Sequence, residues 1–340
     1  MNGLGWEKGK GKRERGKEKS ATSTFKLFLT LDSGLTLVIF VIVFCILLFN
    51  YLLNVLMKKI LLPIIVMVGV QAIAGCANAN LVDSTPPSIS VTDSTATQTT
   101  AQTFDYQDYA DVLRTYVNDQ GLVNYSGLQT NREQLDRFNQ SLGAVTPQTY
   151  SSWGKTEQIA FLINAYNAFT LQSIIDQNPL KESIKDISGV WNRREFSLAG
   201  ETRTLDNIEH DLLRKNFNEP RIHVALVCAA MSCPTLRNEP YLPATLDTQL
   251  SAQTASFVAS PQGFSLDRKE QKVYLSSIFK WYGQDFEQTY GIEDKFKGNS
   301  QQQAVLNYLN PTLDPGSQMF LEQGDYHVKY LDYDWSLNKQ

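Results

Sequence analysis

Apolar residues recur at helical spacing over much of the chain beyond residue 103. The spacing predicts helices near 105–119, 135–142, 277–288 and 300–310. Asp206 followed by Glu209 three positions later is a capping-box pattern, so we expect a further helix to begin there. Helices therefore dominate the predicted secondary structure.

Residues 156–177 are apolar on almost every face, which is typical of a buried helix. Three polar residues interrupt this pattern. At a helical rotation of about 100° per residue, Glu157, Asn164 and Asn167 fall within an arc of about 80°. We therefore expect one polar stripe to enter the core, with Asn164 and Asn167 hydrogen-bonded to the segment 210–233.

Short β-rich segments predict a small sheet. Two hairpins are expected, one from 194–198 and 202–205 and the other from 264–266 and 273–275, with a last strand at 327–331. Residues 222–228 have the composition of a buried central strand. The fold class predicted is α+β, a single mainly helical domain packed on a small, largely antiparallel sheet.

The first 103 residues have a different character. Residues 35–56 are almost continuously apolar and long enough to span a bilayer as a helix. Met57-Lys58-Lys59 then begins a second apolar stretch that ends in Ile73-Ala74-Gly75-Cys76, the arrangement of a secretory signal. This ending resembles the lipobox of bacterial lipoproteins, in which the cysteine, here Cys76, becomes the acylated first residue.

These features predict four segments. Residues 1–56 are either an upstream extension that is wrongly included before the true start at Met57, or a transmembrane anchor. Residues 57–76 are a lipoprotein-type signal peptide, and residues 77–103 are a disordered linker rich in Ser, Thr, Ala and Gln. Residues 104–340 form the globular domain. Both interpretations of 1–56 place the domain outside the cytoplasm, attached to the membrane through Cys76 or the 35–56 helix.

Charge excludes one class of partner. Residues 1–75 hold ten of the 31 basic and four of the 35 acidic residues, which leaves 21 and 31 for residues 76–340, a charge of about −10. A nucleic-acid-binding domain needs a basic surface to neutralise phosphates. Nucleic acid is therefore not an expected partner.

Four chemically distinctive residues cluster in the sequence. His210, His223, Cys228 and Cys233 lie within 24 residues, and the chain has only three histidines and four cysteines. Three interpretations of this cluster remain open: a thiol nucleophile, a disulfide and a zinc site.

A thiol nucleophile would need a cysteine beside an imidazole that accepts its proton. In a strand, His223 and Cys228 would point to opposite faces, which favours Cys233 as the partner of His223. Ser232-Cys233-Pro234 also has the pattern of a turn that leads into a helix, whose N-terminus would lower the thiol pKa. Asn167 is a third candidate catalytic residue, although a buried amide more commonly caps backbone groups.

A disulfide between Cys228 and Cys233 is the second interpretation. Exported proteins fold in oxidising compartments, where two cysteines without other partners often pair. Closing this six-residue loop would contribute about 2 kcal/mol to stability.

A zinc site formed by His210, His223, Cys228 and Cys233 is the third interpretation. These residue types suit zinc, but their spacing is not a usual one for its ligands. The sequence therefore predicts no metal site and no cofactor, and these four residues are only weak metal candidates.

Aromatic residues near the end of the chain suggest a groove for a glycan or a peptide. The candidates are Trp281, Tyr282, Tyr330, Tyr333 and Trp335. Core packing is the commoner role for most such residues.

Several longer motifs resemble a known family, domain of unknown function 547. They are Ala160-Phe-Leu-Ile-Asn-Ala-Tyr-Asn-Ala168, Asn207-Ile-Glu-His210, the run from Ile222 to Arg237 that contains Ser232-Cys233-Pro234, Leu275 to Phe286, and Tyr330 to Asn338. The resemblance covers roughly 104–338. Leu162 stands where the family often has Trp, and Val224 where it often has Phe.

The resemblance implies that the Asn-Ala-Tyr-Asn and His…Ser-Cys-Pro segments belong to one site, and that the protein is exported or lipid-anchored, as many bacterial members are. It implies no reaction. We therefore expect an exported, membrane-tethered protein that binds a small molecule, peptide or glycan, with a disulfide between Cys228 and Cys233. The alternative is a cell-envelope thiol hydrolase or transferase that uses Cys233 with His223.

Overall fold

Helices form most of residues 103–340, the part of the chain that the computed structural model describes. The helices are α1 (Gln107–Tyr116), α2 (Tyr125–Thr130), α3 (Glu133–Ala144), α4 (Pro147–Ser152), α5 (Lys155–Ile175), α6 (Arg214–Asn216), α7 (Leu246–Ala259), α8 (Ser277–Tyr290), α9 (Ser300–Leu309) and α10 (Pro315–Gln323). The predicted helices near 105–119, 135–142, 277–288 and 300–310 are thus confirmed. The predictions for 1–56, for the signal peptide with Cys76 and for most of the linker lie outside the described residues.

Helix α5 lies at the centre of a buried apolar core, as its apolar pattern predicts. Sixteen of its 21 residues are buried, including Asn164 and Asn167. It packs against α2, α3 and the segment 207–213. Because neighbouring elements surround the helix, polar groups on it must find partners within the protein.

Two small sheets complete the α+β fold. Strands β1 (Phe196–Leu198) and β2 (Glu201–Arg203) form an antiparallel hairpin. Its turn residues Ala199 and Gly200 both have positive φ angles, the conformation of the type I′ turns that match strand twist. The second sheet has the order β3 (Phe264–Asp267), β4 (Lys272–Leu275), β5 (His327–Tyr330). Strands β3 and β4 pair antiparallel, whereas β5 runs parallel to β4.

The predicted central strand at 222–228 is wrong. Pro220–Val224 forms a 3₁₀ helix, and residues 225–228 have no regular structure. The segment is apolar because it is packed between α7 and α8, and not because it pairs in a sheet. The strand alternation that favoured Cys233 over Cys228 as the partner of His223 therefore does not apply.

Two helix predictions near the cysteines also need correction. The segment Asn207–Leu213 is helical, but it is a π-helix, and Asp206 makes no side-chain capping bond. Glu209 is buried and does not cap the helix. No helix begins at Pro234; the next helical turn is Pro243–Thr245, so Cys233 does not lie at a helix N-terminus.

The buried apolar residues form two clusters. The first surrounds α5 and extends to Leu250, and the second is built from α8, α9 and the three-stranded sheet. Ile222 and Ala225 belong to the first cluster, while Val224 belongs to the second. The segment that carries His223 therefore lies where the two clusters meet. Among residues 103–340, no helix is both long and apolar enough to cross a membrane.

Candidate functional site

The side chains of Asn164 and Asn167 hold the irregular segment that follows His223. The Asn167 amide donates to Ala225 O at 3.0 Å and accepts from Val227 N at 2.9 Å. Asn164 does the same with the backbone of Tyr241, at 2.7 Å and 3.0 Å. The expected contact with 210–233 is thus confirmed for Asn167, whereas Asn164 binds beyond that segment. Both amides replace the backbone partners that a strand or helix would supply.

A disulfide joins Cys228 and Cys233, whose Cα atoms lie 6.2 Å apart. The Cys228 N–H donates to Cys233 Sγ at 3.0 Å, and the Tyr333 hydroxyl lies 3.3 Å and 3.1 Å from the two sulfurs. Ala229, next in the loop, has a φ of 59°, a conformation that is rare outside glycine. The backbone of the loop and the Tyr333 hydroxyl therefore hold both sulfurs in place.

Residues 334–338, here called the C-terminal strap, pair with the disulfide loop. Met231 N donates to Ser336 O at 2.8 Å, and Asn338 N donates to Ala229 O at 3.0 Å. The Ser232 hydroxyl accepts from Asp334 N at 2.9 Å. Because these partners lie about 100 residues apart in sequence, the loop depends on the end of the chain for its conformation.

A charged group lies where the two core clusters meet. His223 Nε2 is 2.8 Å from Asp285 Oδ2, and the Arg214 guanidinium binds both oxygens of the same carboxylate, at 2.6 Å and 2.9 Å. Burial acts to raise the pKa of Asp285, but the hydrogen bonds from Arg214 and His223, together with the positive charge of Arg214, outweigh it and hold the pKa well below its usual range. Asp285 is thus an ionised acceptor that fixes the imidazole.

Aromatic packing further fixes the His223 ring. Tyr282 stacks on it with ring centroids 4.1 Å apart and planes 15° from parallel. His210 is different: its side chain is 40% exposed, and its Nδ1 lies 3.1 Å from Arg214 Nη1. Tyr282 and Arg214 both lie between the two histidines, since the Tyr282 ring is 6.4 Å from the His210 ring and Arg214 binds Asp285, the partner of His223.

Glu209 is a buried carboxylate whose charge acts on three tyrosines. Burial is the main cause of the raised pKa values of Tyr166 and Tyr282, and the negative charge of Glu209 adds to it in both. Burial likewise raises the pKa of Tyr333, and the charge of Glu209 adds to it. The π-helix Asn207–Leu213 carries this residue, and π-helical turns occur often at functional sites.

The sequence pattern does not reveal the roles of Glu209, Arg214 and Asp285. Glu209 has the spacing of a helix cap, and the other two stand among ordinary surface charges. The resemblance could have pointed to two of these residues, because its motifs include Glu209 beside His210 and Asp285 beside Phe286. Arg214 lies in none of the motifs, so no sequence signal pointed to it.

The four weak metal candidates do not form a common site. The sulfurs of Cys228 and Cys233 are bonded to each other, His223 faces Asp285, and His210 faces Arg214. No group of three or more potential metal-ligating side chains occurs within residues 103–340. The residue types suit zinc, but their arrangement does not.

A polar cleft opens beside the charged group. Its volume is about 640 Å³, and Arg214 and Asp285 line it together with Lys155, Glu219 and Gln288. The charged side chains that fix His223 are therefore also accessible to a solute in this cleft.

Comparison with known proteins gives one match. A family model described as "Protein of unknown function, DUF547" matches residues 150–258. This match supports the domain family, over a shorter span than the motifs suggest. It contains Asn167, Glu209, His223 and both cysteines, but not Asp285. No curated protein and no solved structure matches the chain.

Proposed function

We propose that this protein is an exported, membrane-tethered binding protein, and that its Cys228–Cys233 disulfide is structural. The disulfide is the observation that carries the proposal. A disulfide persists in an oxidising compartment, as expected outside the cytoplasm. It also removes both thiols of the domain from nucleophilic chemistry, which needs a free thiolate.

The surroundings of the disulfide agree with a binding role. The side-chain amide of Asn167 is hydrogen-bonded to backbone groups of the protein, and the His223 ring is held by Asp285 and Tyr282. Both side chains are buried and fix the backbone that leads into the disulfide loop, and a rigid, prearranged site favours ligand binding because little conformational freedom is lost on association. The tether is proposed from the sequence, through acylated Cys76 or the 35–56 helix.

Alkylation of the non-reduced protein tests the binding proposal. Iodoacetamide is added across a range of pH, and the 228–233 peptide is analysed by mass spectrometry. We expect an intact disulfide and no label before reduction, and two labels afterwards. Rapid labelling of Cys233 without reductant would overturn the proposal.

The tether is tested by the mass of the mature N-terminus. We expect a diacylated Cys76, and loss of acylation in Cys76→Ser. A peptide from residues 2–30 in the native protein would contradict processing at Cys76.

A thiol enzyme is the second candidate function, and the His223–Asp285 pair is the observation that favours it. A base oriented by a carboxylate is the arrangement that activates a nucleophile. After an external dithiol has reduced the disulfide, and has itself been oxidised, Cys233 of such an enzyme would attack an envelope substrate, and the group it takes up would pass to water or to a second acceptor. It predicts that His223→Ala slows alkylation of the reduced protein, whereas a structural disulfide predicts no change.

A further inference from the structure

Three of the chain's five tryptophans come together from distant parts of the sequence. Trp281 lies 5.9 Å from Trp335 in a stacked arrangement, and Trp191 meets Trp335 edge to face at 6.1 Å. Tyr333 lies 4.9 Å from Trp281 and 4.6 Å from Trp335. We call these four residues the tryptophan platform.

The platform is only partly covered by the protein. Trp281 is 44% exposed, and the other three members are half-buried. Leaving an indole in water forfeits the large gain from burying it, so clustered exposed aromatics usually mark a binding surface. Packing within the core, the commoner role for such residues, therefore does not account for Trp281.

The platform has a fixed geometry. Tyr333 contacts both disulfide sulfurs through its hydroxyl, and Trp335 lies within the C-terminal strap that pairs with the disulfide loop. Lys185 Nζ lies 5.0 Å from the Trp335 ring centroid, where a cation–π contact holds the indole. A ligand would therefore meet flat rings that are already in position.

The charges beside the platform identify the kind of ligand. Asp332 and Asp334 alternate with Tyr333 and Trp335, and both acids are exposed. Carboxylates accept hydrogen bonds from the hydroxyl groups of a sugar, while the C–H face of a pyranose ring packs on an indole. Asp334 already accepts bonds from Ser336, so Asp332 is the acceptor left for a sugar. The domain as a whole carries about −10, which outweighs the charge of Lys185 at the platform and disfavours anionic polymers and anionic lipid headgroups.

We propose that the tryptophan platform binds a neutral glycan chain, with a sugar ring stacked on Trp281 and its hydroxyl groups bonded to Asp332. The inference rests on the proposed binding function and specifies its ligand class. Its test is a separate measurement from the tests of the disulfide and of Cys76. Failure of the alkylation or N-terminal test would overturn the function and leave glycan binding to be decided by its own measurement.

Native affinity electrophoresis tests the proposal with the full chain in mild detergent. The gels contain soluble glycol chitin, hydroxyethyl cellulose or the anionic polymer polygalacturonate. We expect at least one neutral polymer to retard the protein and the anionic polymer not to. Trp281→Ala should weaken the retardation about tenfold, since one stacking partner is lost.

Met319→Ala is the matched control, because Met319 is 61% exposed and lies outside the platform. It should leave the retardation unchanged, and Asp332→Asn should weaken it. Circular dichroism checks that each variant folds. Failure of both neutral polymers to retard the wild type, retardation by polygalacturonate alone, or equal retardation of wild type and Trp281→Ala would overturn the proposal.

A membrane-facing platform is the competing outcome. The full chain is reconstituted into vesicles that contain brominated phospholipid, a quencher of nearby tryptophans. We expect the amount of fluorescence lost to quenching to be the same for wild type and Trp281→Phe. Quenching that Trp281→Phe abolishes would place the platform on the bilayer and overturn the glycan proposal.

Discussion

The backbone segments around the two core clusters are held in place by different kinds of contact. Around the second cluster, α8, α9 and the strands β3 to β5 satisfy their backbone groups within regular elements. Beside the first cluster, residues 225–242 have no helix or strand. Their backbone is held by the Asn164 and Asn167 side chains, the disulfide and the C-terminal strap.

This difference explains where the candidate site lies. A segment held by side chains from elsewhere can place His223, Cys228 and Cys233 in positions that a regular strand would not allow. The cost is that each holding contact is specific, because no neighbouring backbone bond can replace it. We therefore expect substitution of Asn164 or Asn167, which hold this segment, to be more destabilising than a matched substitution around the second cluster.

The largest effect is expected for Asn167→Leu. The variant leaves Ala225 O and Val227 N without partners in the interior, and should lower the free energy of unfolding by roughly 2–4 kcal/mol. Asn307→Leu is the matched control, since Asn307 donates a single bond, to Tyr290 O, and is only half-buried. Urea unfolding of both variants measures the difference. Equal destabilisation would show that the two regions are held alike.

Reduction of the disulfide should have the next largest effect. Opening the six-residue loop between Cys228 and Cys233 should cost about 2 kcal/mol and lower the melting temperature. Thermal unfolding with and without dithiothreitol measures the shift. The double variant Cys228→Ala/Cys233→Ala should unfold at the same temperature in both conditions. An unchanged wild-type melting temperature, with the loss of the bond verified by mass, would contradict a structural role.

A smaller, pH-dependent effect is expected for Asp285→Asn, of about 1–2 kcal/mol at neutral pH, since a charged acceptor of hydrogen bonds is lost. The folded-state pKa of Asp285 lies below its unfolded value. The stability it contributes is therefore fully present above about pH 4 and is lost as the pH falls toward the folded pKa. The difference in the free energy of unfolding between wild type and Asp285→Asn should therefore become smaller below about pH 4.

Urea unfolding at a series of pH values from 7 to 2 measures this gap. Asp332→Asn serves as the control, because Asp332 is exposed and takes no part in the contacts of Asp285 with Arg214 and His223. A gap that widens on acidification would contradict the assignment of Asp285 as an ionised acceptor.

Much of the fold could be predicted from the local pattern. The buried helix α5, the two hairpins and the helices α8 and α9 follow from apolar spacing and turn residues. The pattern predicts these elements because each one forms its own backbone hydrogen bonds. Its position then depends mainly on which face carries the apolar residues that pack on the core.

The candidate site could be predicted only in part. The sequence indicates a candidate site at His223, Cys228 and Cys233, and a disulfide between the two cysteines is one of the three interpretations it allows. It could not predict that Asp285 and Arg214 would hold His223, since the three residues lie on separate elements. The strand prediction for 222–228 failed because burial alone produces the same apolar run.

The sequence by itself determined the α+β class, the burial of Asn164 and Asn167 on one helix and the net charge of residues 76–340. These properties depend on composition and on neighbours a few positions apart. The tertiary structure alone decided the Glu209 environment, the strap across the disulfide loop and the gathering of Trp191, Trp281 and Trp335. Such contacts join residues far apart in sequence, and the packing of the two cores brings them together.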